Sequence, residues 1–268
     1  MTISSRFIIR LAAGLVVLSL FAAPPLPAQD IKDPGVLQAL KDGKAKLQAG
    51  LNAWNEDQIL AARDGFLKAC VLNKADQVDL LYYVALVDYR LTSYYLSAGK
   101  NAETERFALE GKQYAQKAMS LGPKSGEPDA LYASLIGMQL SVHPEDAMTL
   151  GMESFQFMAQ ADQKDPGNPR VNMLHGSYML YVPSEYGGGP EAARGYLETA
   201  VAQFEKETGG DPIKPDWGKD EAYFYLGLVY KQLNEPAKAL DMLKKALAAN
   251  PGYGRAKSEI AALEKNKK

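Results

Sequence analysis

The chain has 268 residues, with 30 basic and 32 acidic side chains and a formal net charge of −2. Its 47% hydrophobic and 23% charged content is that of an ordinary globular protein with enough apolar residues for a core. The single cysteine excludes a disulfide framework and a zinc site built from cysteines. Because the balance is slightly acidic, nucleic acid is not expected as the main partner.

The first residues have the pattern of a secretory signal peptide. Arg6 and Arg10 precede an apolar run over 11–23, and a proline-broken segment then ends at the small residue Ala28. The run is shorter than the roughly 20 apolar residues of a membrane-spanning helix. We therefore expect residues 1–28 to be removed and the mature protein to be periplasmic or secreted, with membrane contact only through this segment if it stays uncleaved.

After a lead-in of residues 29–42, small and bulky residues recur in a pattern that predicts helix-turn-helix pairs. In 43–76 the pattern consists of Gly50, Ala53, Ala62, Phe66 and Ala69. In 78–125 it opens at Ala85 and closes with Gly111, Ala115, Ala118 and Pro123. An insertion around 91–105 separates these two halves, which predicts that both helices of this second pair are long.

The next two copies carry extra residues between their helices, which predicts enlarged turns. The copy in 130–168 has Gly137, Leu140, Ser154, Met158, Ala161 and Pro166. The copy in 169–206 has Gly176, Met179, Ala193, Leu197 and Ala200. Asn168 precedes Pro169, which predicts a side-chain cap and a proline in the first turn of a helix. The segment 209–219, called the linker below, shows no strand pattern and predicts a structured loop.

The last copy, 220–251, is the most complete. Its small and bulky residues are Leu226, Gly227, Tyr230, Ala239, Leu243, Ala246 and Pro251. Counted from Asp220, they occupy the packing positions of a 34-residue repeat, and this stretch resembles the tetratricopeptide repeat (TPR). The resemblance implies an all-α, TPR-like solenoid of about five helix-turn-helix repeats. Residues 252–268 are then a capping helix and a basic tail.

The TPR resemblance also implies where a partner binds, because one face of each first helix lines the concave surface in that family. The residues mapped to this surface are Trp54, Tyr82, Leu86, Tyr89, Arg90, Met138, Arg170, Met173, Tyr181, Phe224 and Leu228. They are mostly apolar and aromatic, which favours a protein, a peptide or an apolar small molecule as the partner. Two interpretations have equal weight: an open groove, or the core of a tightly wound array.

Tyr186, Gly187, Gly188 and Gly189 stand directly before a predicted helix. Free backbone N–H groups there could hold an anion, although Pro190 removes one donor and no phosphate-loop lysine follows. A tight turn with positive φ is the favoured interpretation. The segment is also similar to the periplasmic TPR component associated with tripartite (TRAP) solute transporters.

Residues with catalytic or metal-binding chemistry are few. His143 and His175 lie at no metal-ligand spacing from each other or from Cys70, so a buried packing role is favoured for His175 and Cys70. Trp217 in the linker could gate the groove, but we expect it to anchor the linker onto the first helix of the last repeat. No metal or cofactor is predicted.

The sequence therefore predicts an exported, non-enzymatic scaffold or adaptor that binds a protein through its concave face. An alternative is a small-molecule or lipid-binding periplasmic accessory of a solute transporter. A third possibility, an enzyme using groove carboxylates, lacks an identifiable nucleophile, base and orienting group.

Overall fold

The computed structural model describes residues 31–265, and this part of the chain is a succession of antiparallel helix pairs. The predicted signal segment 1–28 and the end of the basic tail lie outside the described residues. The pairs are α1 Pro34–Ala53 with α2 Glu56–Asn73, α3 Val78–Ser97 with α4 Asn101–Ser120, α5 Glu127–Leu140 with α6 Ala147–Lys164, α7 Pro169–Tyr181 with α8 Pro190–Phe204, and α9 Lys219–Gln232 with α10 Pro236–Ala249. A final helix, α11, runs over Gly254–Lys265.

The connections within the pairs follow the sequence insertions. The insertion around 91–105 lengthens both α3 and α4 to 20 residues. Short 3₁₀ helices, Pro144–Asp146 and Ser184–Tyr186, occupy the enlarged turns of the third and fourth pairs. At the start of α7, the side chain of Asn168 accepts hydrogen bonds from the backbone N–H groups of two following residues.

Small residues allow the two helices of a pair to approach closely. A Cβ atom placed on Gly227 would lie 2.9 Å from Cγ of Leu243, and one on Gly176 would lie 2.5 Å from Cγ of Leu197. The two glycines hold the same repeat position, and their contacts are the same in kind. The helices of the last two pairs therefore cross with the same close contact between a glycine and a leucine.

In the second to fifth pairs, the first helix is buried far more completely than the second. In α3, every residue from Leu80 to Thr92 is buried, whereas α10 buries only the stripe of Ala239, Leu243 and Ala246. A helix that is buried on all sides must be covered on its inner face as well as by its partner. The inner faces of the first helices of the second to fifth pairs are therefore part of the core.

The two ends of the array meet, which closes the inner space. The side-chain amide of Asn250, after α10, donates a hydrogen bond of 2.9 Å to Oδ1 of Asn52 in α1. Gly252 also lies against Asn52, because a Cβ atom there would be 2.5 Å from its Nδ2. Ala256 and Leu263 of α11 are buried against the last pair, as expected of a capping helix. Among the helices within 31–265, none is long and apolar enough to cross a membrane.

Candidate functional site

The linker lies across the inner face of the array and is held there by its main chain. Nζ of Lys44 in α1 donates hydrogen bonds to the carbonyl oxygens of Pro212, at 3.0 Å, and Lys214, at 2.8 Å. The hydroxyl group of Tyr83 in α3 donates to the carbonyl oxygen of Ile213, at 3.0 Å. Three successive linker carbonyl groups are therefore bound by side chains from the first two helix pairs.

Trp217 is the side-chain anchor of the linker. Its indole Nε1 donates a hydrogen bond of 2.8 Å to the hydroxyl oxygen of Tyr82, and the guanidinium carbon of Arg90 lies 4.6 Å from the centroid of its ring system. Arg90 in turn binds both carboxylate oxygens of Glu221 in α9, at 2.7 and 2.5 Å. Trp217 thus anchors the linker on α3, the first helix of the second pair. Our prediction that it would anchor the linker on the first helix of the last repeat was wrong.

This arrangement decides between the two interpretations of the concave surface for most of its residues. The linker, together with the contact between the two ends of the array, covers most of the residues that the sequence assigned to a concave surface. Buried are Tyr82, Leu86, Tyr89, Arg90, Arg170, Met173 and Phe224, whereas Met138 and Leu228 are half-buried and Trp54 and Tyr181 are exposed. Tyr82 and Tyr89 are only 3% and 4% exposed. The interpretation as the core of a tightly wound array therefore holds for these seven residues.

A polar cavity of about 430 Å³ opens beside the linker, between the N-terminal ends of α3, α5 and α7. Glu127, the first residue of α5, lines it and is 5% exposed. Its Oε1 accepts a hydrogen bond of 2.9 Å from Asn168, and its Oε2 has no partner within hydrogen-bonding geometry. Burial raises the pKa of Glu127, and nearby Arg170 lowers it. The sequence analysis missed Glu127, because a glutamate at a helix start usually serves only the helix dipole.

The glycine turn is a structural turn. Gly187 and Gly189 have φ values of 83° and 95°, and Gly188 lies so close to Val182 that a Cβ atom would be 2.1 Å from its carbonyl oxygen. The backbone N–H groups of all three glycines donate to carbonyl oxygens of the preceding segment. The anion-site interpretation is therefore wrong for this turn, while Tyr186 beside it is 71% exposed.

The histidines and the cysteine are in packing or surface positions. His175 is buried, stacks on Tyr196 and bonds Asp162 through Nδ1 at 2.7 Å. Burial raises the pKa of Cys70 to about 11, which disfavours a nucleophilic thiolate. His143 lies within about 3 Å of carboxylates at the surface, where it could share a metal ion with Glu145 and the following aspartate. That cluster is at the rim of a turn, away from the linker.

Known structures share this architecture. The HusA haemophore from Porphyromonas gingivalis superposes with a TM-score of 0.63 and 24% sequence identity, over 75% of this chain and 96% of that one. TTC0263, a thermophilic TPR protein of Thermus thermophilus, gives a TM-score of 0.52 and 15% identity, over 82% of this chain and 98% of that one. No protein-family model and no curated protein sequence matches the chain. The fold of this chain is therefore a TPR-like, all-α solenoid.

Proposed function

We propose that this chain is an exported, non-enzymatic TPR-type binding protein whose inner face recognises a peptide segment bent in the way that the linker is. The observation that carries the proposal is the way the linker is bound, through three carbonyl groups and one tryptophan. Hydrogen bonds to the main chain provide affinity for a peptide, and contacts to a side chain provide specificity. The linker thus occupies the site in the manner of a bound peptide.

The covalent connection of the linker determines how a partner can bind. A tethered segment acts at an effective concentration of about millimolar, so a free segment of the same sequence competes poorly with it. A partner must therefore bind better than the linker, or the linker must be weakened. We expect the wild-type protein to bind linker-like peptides weakly and a variant with a weakened linker to bind them well.

The test uses a fluorescent peptide with the sequence of residues 209–219. Replacement Trp217→Ala in the protein should raise its affinity for this peptide about tenfold, because the internal competitor loses its anchor. Trp54→Ala is the matched control, since this second tryptophan has no linker contact among the described residues and should leave the affinity unchanged. A peptide carrying alanine in place of its tryptophan should bind neither protein.

One further variant locates the binding site. In the Trp217→Ala background, Lys44→Ala removes the donor to two linker carbonyl groups and should lower peptide affinity about tenfold. Equal peptide affinities of wild-type protein and Trp217→Ala, with both folded by circular dichroism, would overturn the proposal. A Lys44→Ala variant that binds the peptide as before would place the interaction elsewhere.

Export rests on the pattern of the first residues. Arg6, Arg10 and the apolar run over 11–23 support passage through a secretory pathway, with the mature chain starting near Gln29. Mass analysis of the protein expressed with its full sequence in a bacterial host tests this. An intact Met1 in the membrane fraction would replace the exported form with an anchored one.

A small-ligand carrier is the second candidate, because one similar structure is a haemophore and tyrosine can ligate haem iron. Tyr181 is 66% exposed, and Arg255 lies beside its hydroxyl group. Titration with haemin should then produce a Soret shift that Tyr181→Phe abolishes and Tyr186→Phe, at another exposed tyrosine, retains. No shift in wild-type protein would rule out haem as the ligand.

A further inference from the structure

The polar cavity at the N-terminal ends of α3, α5 and α7 is separate from the peptide contacts on the inner face. Its volume of about 430 Å³ lies in the range of small-molecule sites. The linker contributes Lys214 and Pro215 to its wall, so the cavity is complete only when the linker is in place. A ligand that fits it must match an unusual set of charges.

Most of the charged side chains around the cavity are already paired. Lys214 binds Asp79 at 3.1 Å, and Arg170 binds both carboxylate oxygens of Glu207, at 2.6 and 3.0 Å. Lys164 is held by both oxygens of Asp129, at 2.8 and 2.7 Å. The charges of these pairs offset one another, although Nε of Arg170 is buried without a hydrogen-bond partner.

Lys124 and Glu127, which have opposite charges, have no ion pair among the described residues; Asp165 has none either, but its carboxylate accepts a hydrogen bond of 2.9 Å from Asn168. The ammonium group of Lys124 is exposed and has no ion pair or hydrogen bond within the described part of the chain. Glu127 is buried, and its Oε2 has no hydrogen-bond partner in acceptable geometry, although the Tyr82 hydroxyl group lies nearby. A buried carboxylate oxygen without a hydrogen-bond partner destabilises the folded protein until a donor binds to it.

The two residues are close along the chain. Lys124 and Glu127 are three residues apart in the turn before α5, so their Cα atoms are at most about 10 Å from each other. A simple anion would meet Glu127 and Asp165, which also lines the cavity, and a simple amine would leave Lys124 unused. An apolar molecule would desolvate both charges without replacing their hydrogen bonds.

We propose that this cavity binds a small zwitterion of the amino-acid class, with its ammonium group on Glu127 and its carboxylate on Lys124. A charge-assisted hydrogen bond from the ligand satisfies the buried oxygen of Glu127. The rest of the cavity accommodates a side chain or a second residue. This inference does not depend on the peptide interaction, since it concerns the protein with its linker closed.

The test is calorimetric titration of the mature, full-length protein with the twenty standard L-amino acids and with glycyl-glycine. At least one should bind with Kd below about 1 mM, and its decarboxylated and deaminated analogues should each bind at least tenfold more weakly. The dipeptide distinguishes a site for free amino acids from a site for short peptides. If no compound of the panel binds more tightly than about 10 mM, the proposal is wrong.

Three variants assign the contacts. Glu127→Gln keeps an acceptor for Asn168 but removes the charge, and Lys124→Ala removes an exposed ammonium group; each should weaken binding at least tenfold. Lys244→Ala is the matched control, because this lysine is exposed on α10 and does not line the cavity, and it should change affinity less than threefold. Melting curves show whether Glu127→Gln is folded. If it is not, Lys124→Ala still tests the proposal, because this exposed position should tolerate the change. Unchanged affinity in Lys124→Ala would overturn the assignment.

Discussion

Asn250 and Asn52 join the two ends of the array, 198 positions apart in sequence, through a hydrogen bond of 2.9 Å between side-chain amides. Asn250 also donates to Asp220 at 2.7 Å, so the junction connects α1, the start of α9 and the turn after α10. An open TPR superhelix has no such contact between its ends. Closure explains why side chains typical of a concave surface are core residues in this chain.

The closure should contribute measurably to stability. Replacement Asn52→Ala removes one partly buried hydrogen bond and leaves the amide of Asn250 with one partner fewer, so we expect a loss of about 1 kcal/mol in the free energy of unfolding. Urea denaturation measures this value. Gln38→Ala, an exposed position of the same helix with only a local partner, is the control. If the two variants lower the free energy of unfolding equally, the contact between the two ends does not contribute to stability.

The repeat register can be tested at the crossing of α9 and α10. Ala239 is fully buried, and its carbonyl oxygen lies 3.3 Å from a Cβ atom placed on Gly227. Replacement Ala239→Trp should cost about 3 kcal/mol or more, since overpacking of about 1 to 3 kcal/mol is typical even for smaller additions. Thermal melts check it. Ala248→Trp adds the same indole at an exposed position of the same helix and should leave the melting temperature nearly unchanged.

The sequence predicted the helix pairs because their packing is local. Gly227, Ala239 and Leu243 lie within one repeat, and the same residue types recur at Gly176, Ala193 and Leu197, with five more residues between the two helices. A pattern of this kind specifies how two neighbouring helices cross. It can therefore be read without knowledge of the rest of the chain.

The covering of the inner face could not be predicted in the same way. Tyr82 and Trp217 are 135 positions apart, and their contact depends on how the helix pairs between them stack on one another. Aromatic residues at the inner positions are compatible with an open groove and with a core. The only local signal was a Trp-Gly pair in a proline-containing linker, which indicated an anchored loop but not its place of attachment.

The inner tyrosines should now behave as core residues. Tyr82 and Tyr89 are buried, so the double replacement by alanine should lower the free energy of unfolding by several kcal/mol, since truncation of one buried aromatic side chain costs about 3 to 5 kcal/mol. Chemical denaturation gives the value. Tyr181→Ala, at an exposed inner-surface position, should change stability by less than about 0.5 kcal/mol. A stable double variant would show that the inner face is open in solution.

Asp88 should make stability depend on pH. It is fully buried in α3 and binds Arg63, with Nε to Oδ1 at 2.5 Å, while Arg63 also binds Glu110. Burial raises the pKa of Asp88 to about 7 against the opposing effect of Arg63. The folded state therefore binds a proton more tightly than the unfolded state between about pH 4 and pH 7. The resulting stabilisation is complete below about pH 4 and is lost as the pH rises through about 7.

The direction of this pH dependence can be measured as a difference between two proteins, because the contributions of the other titrating groups then cancel. The free energy of unfolding of wild-type protein minus that of Asp88→Asn should fall between pH 4.5 and pH 8, since asparagine cannot titrate. Urea denaturation at intervals of half a pH unit gives both curves. Ala248→Ser, which adds no titrating group at an exposed position of α10, should run parallel to the wild type. If the Asp88→Asn difference stays constant or grows with pH, Asp88 is ionised throughout, and its ion pair with Arg63 outweighs the effect of burial.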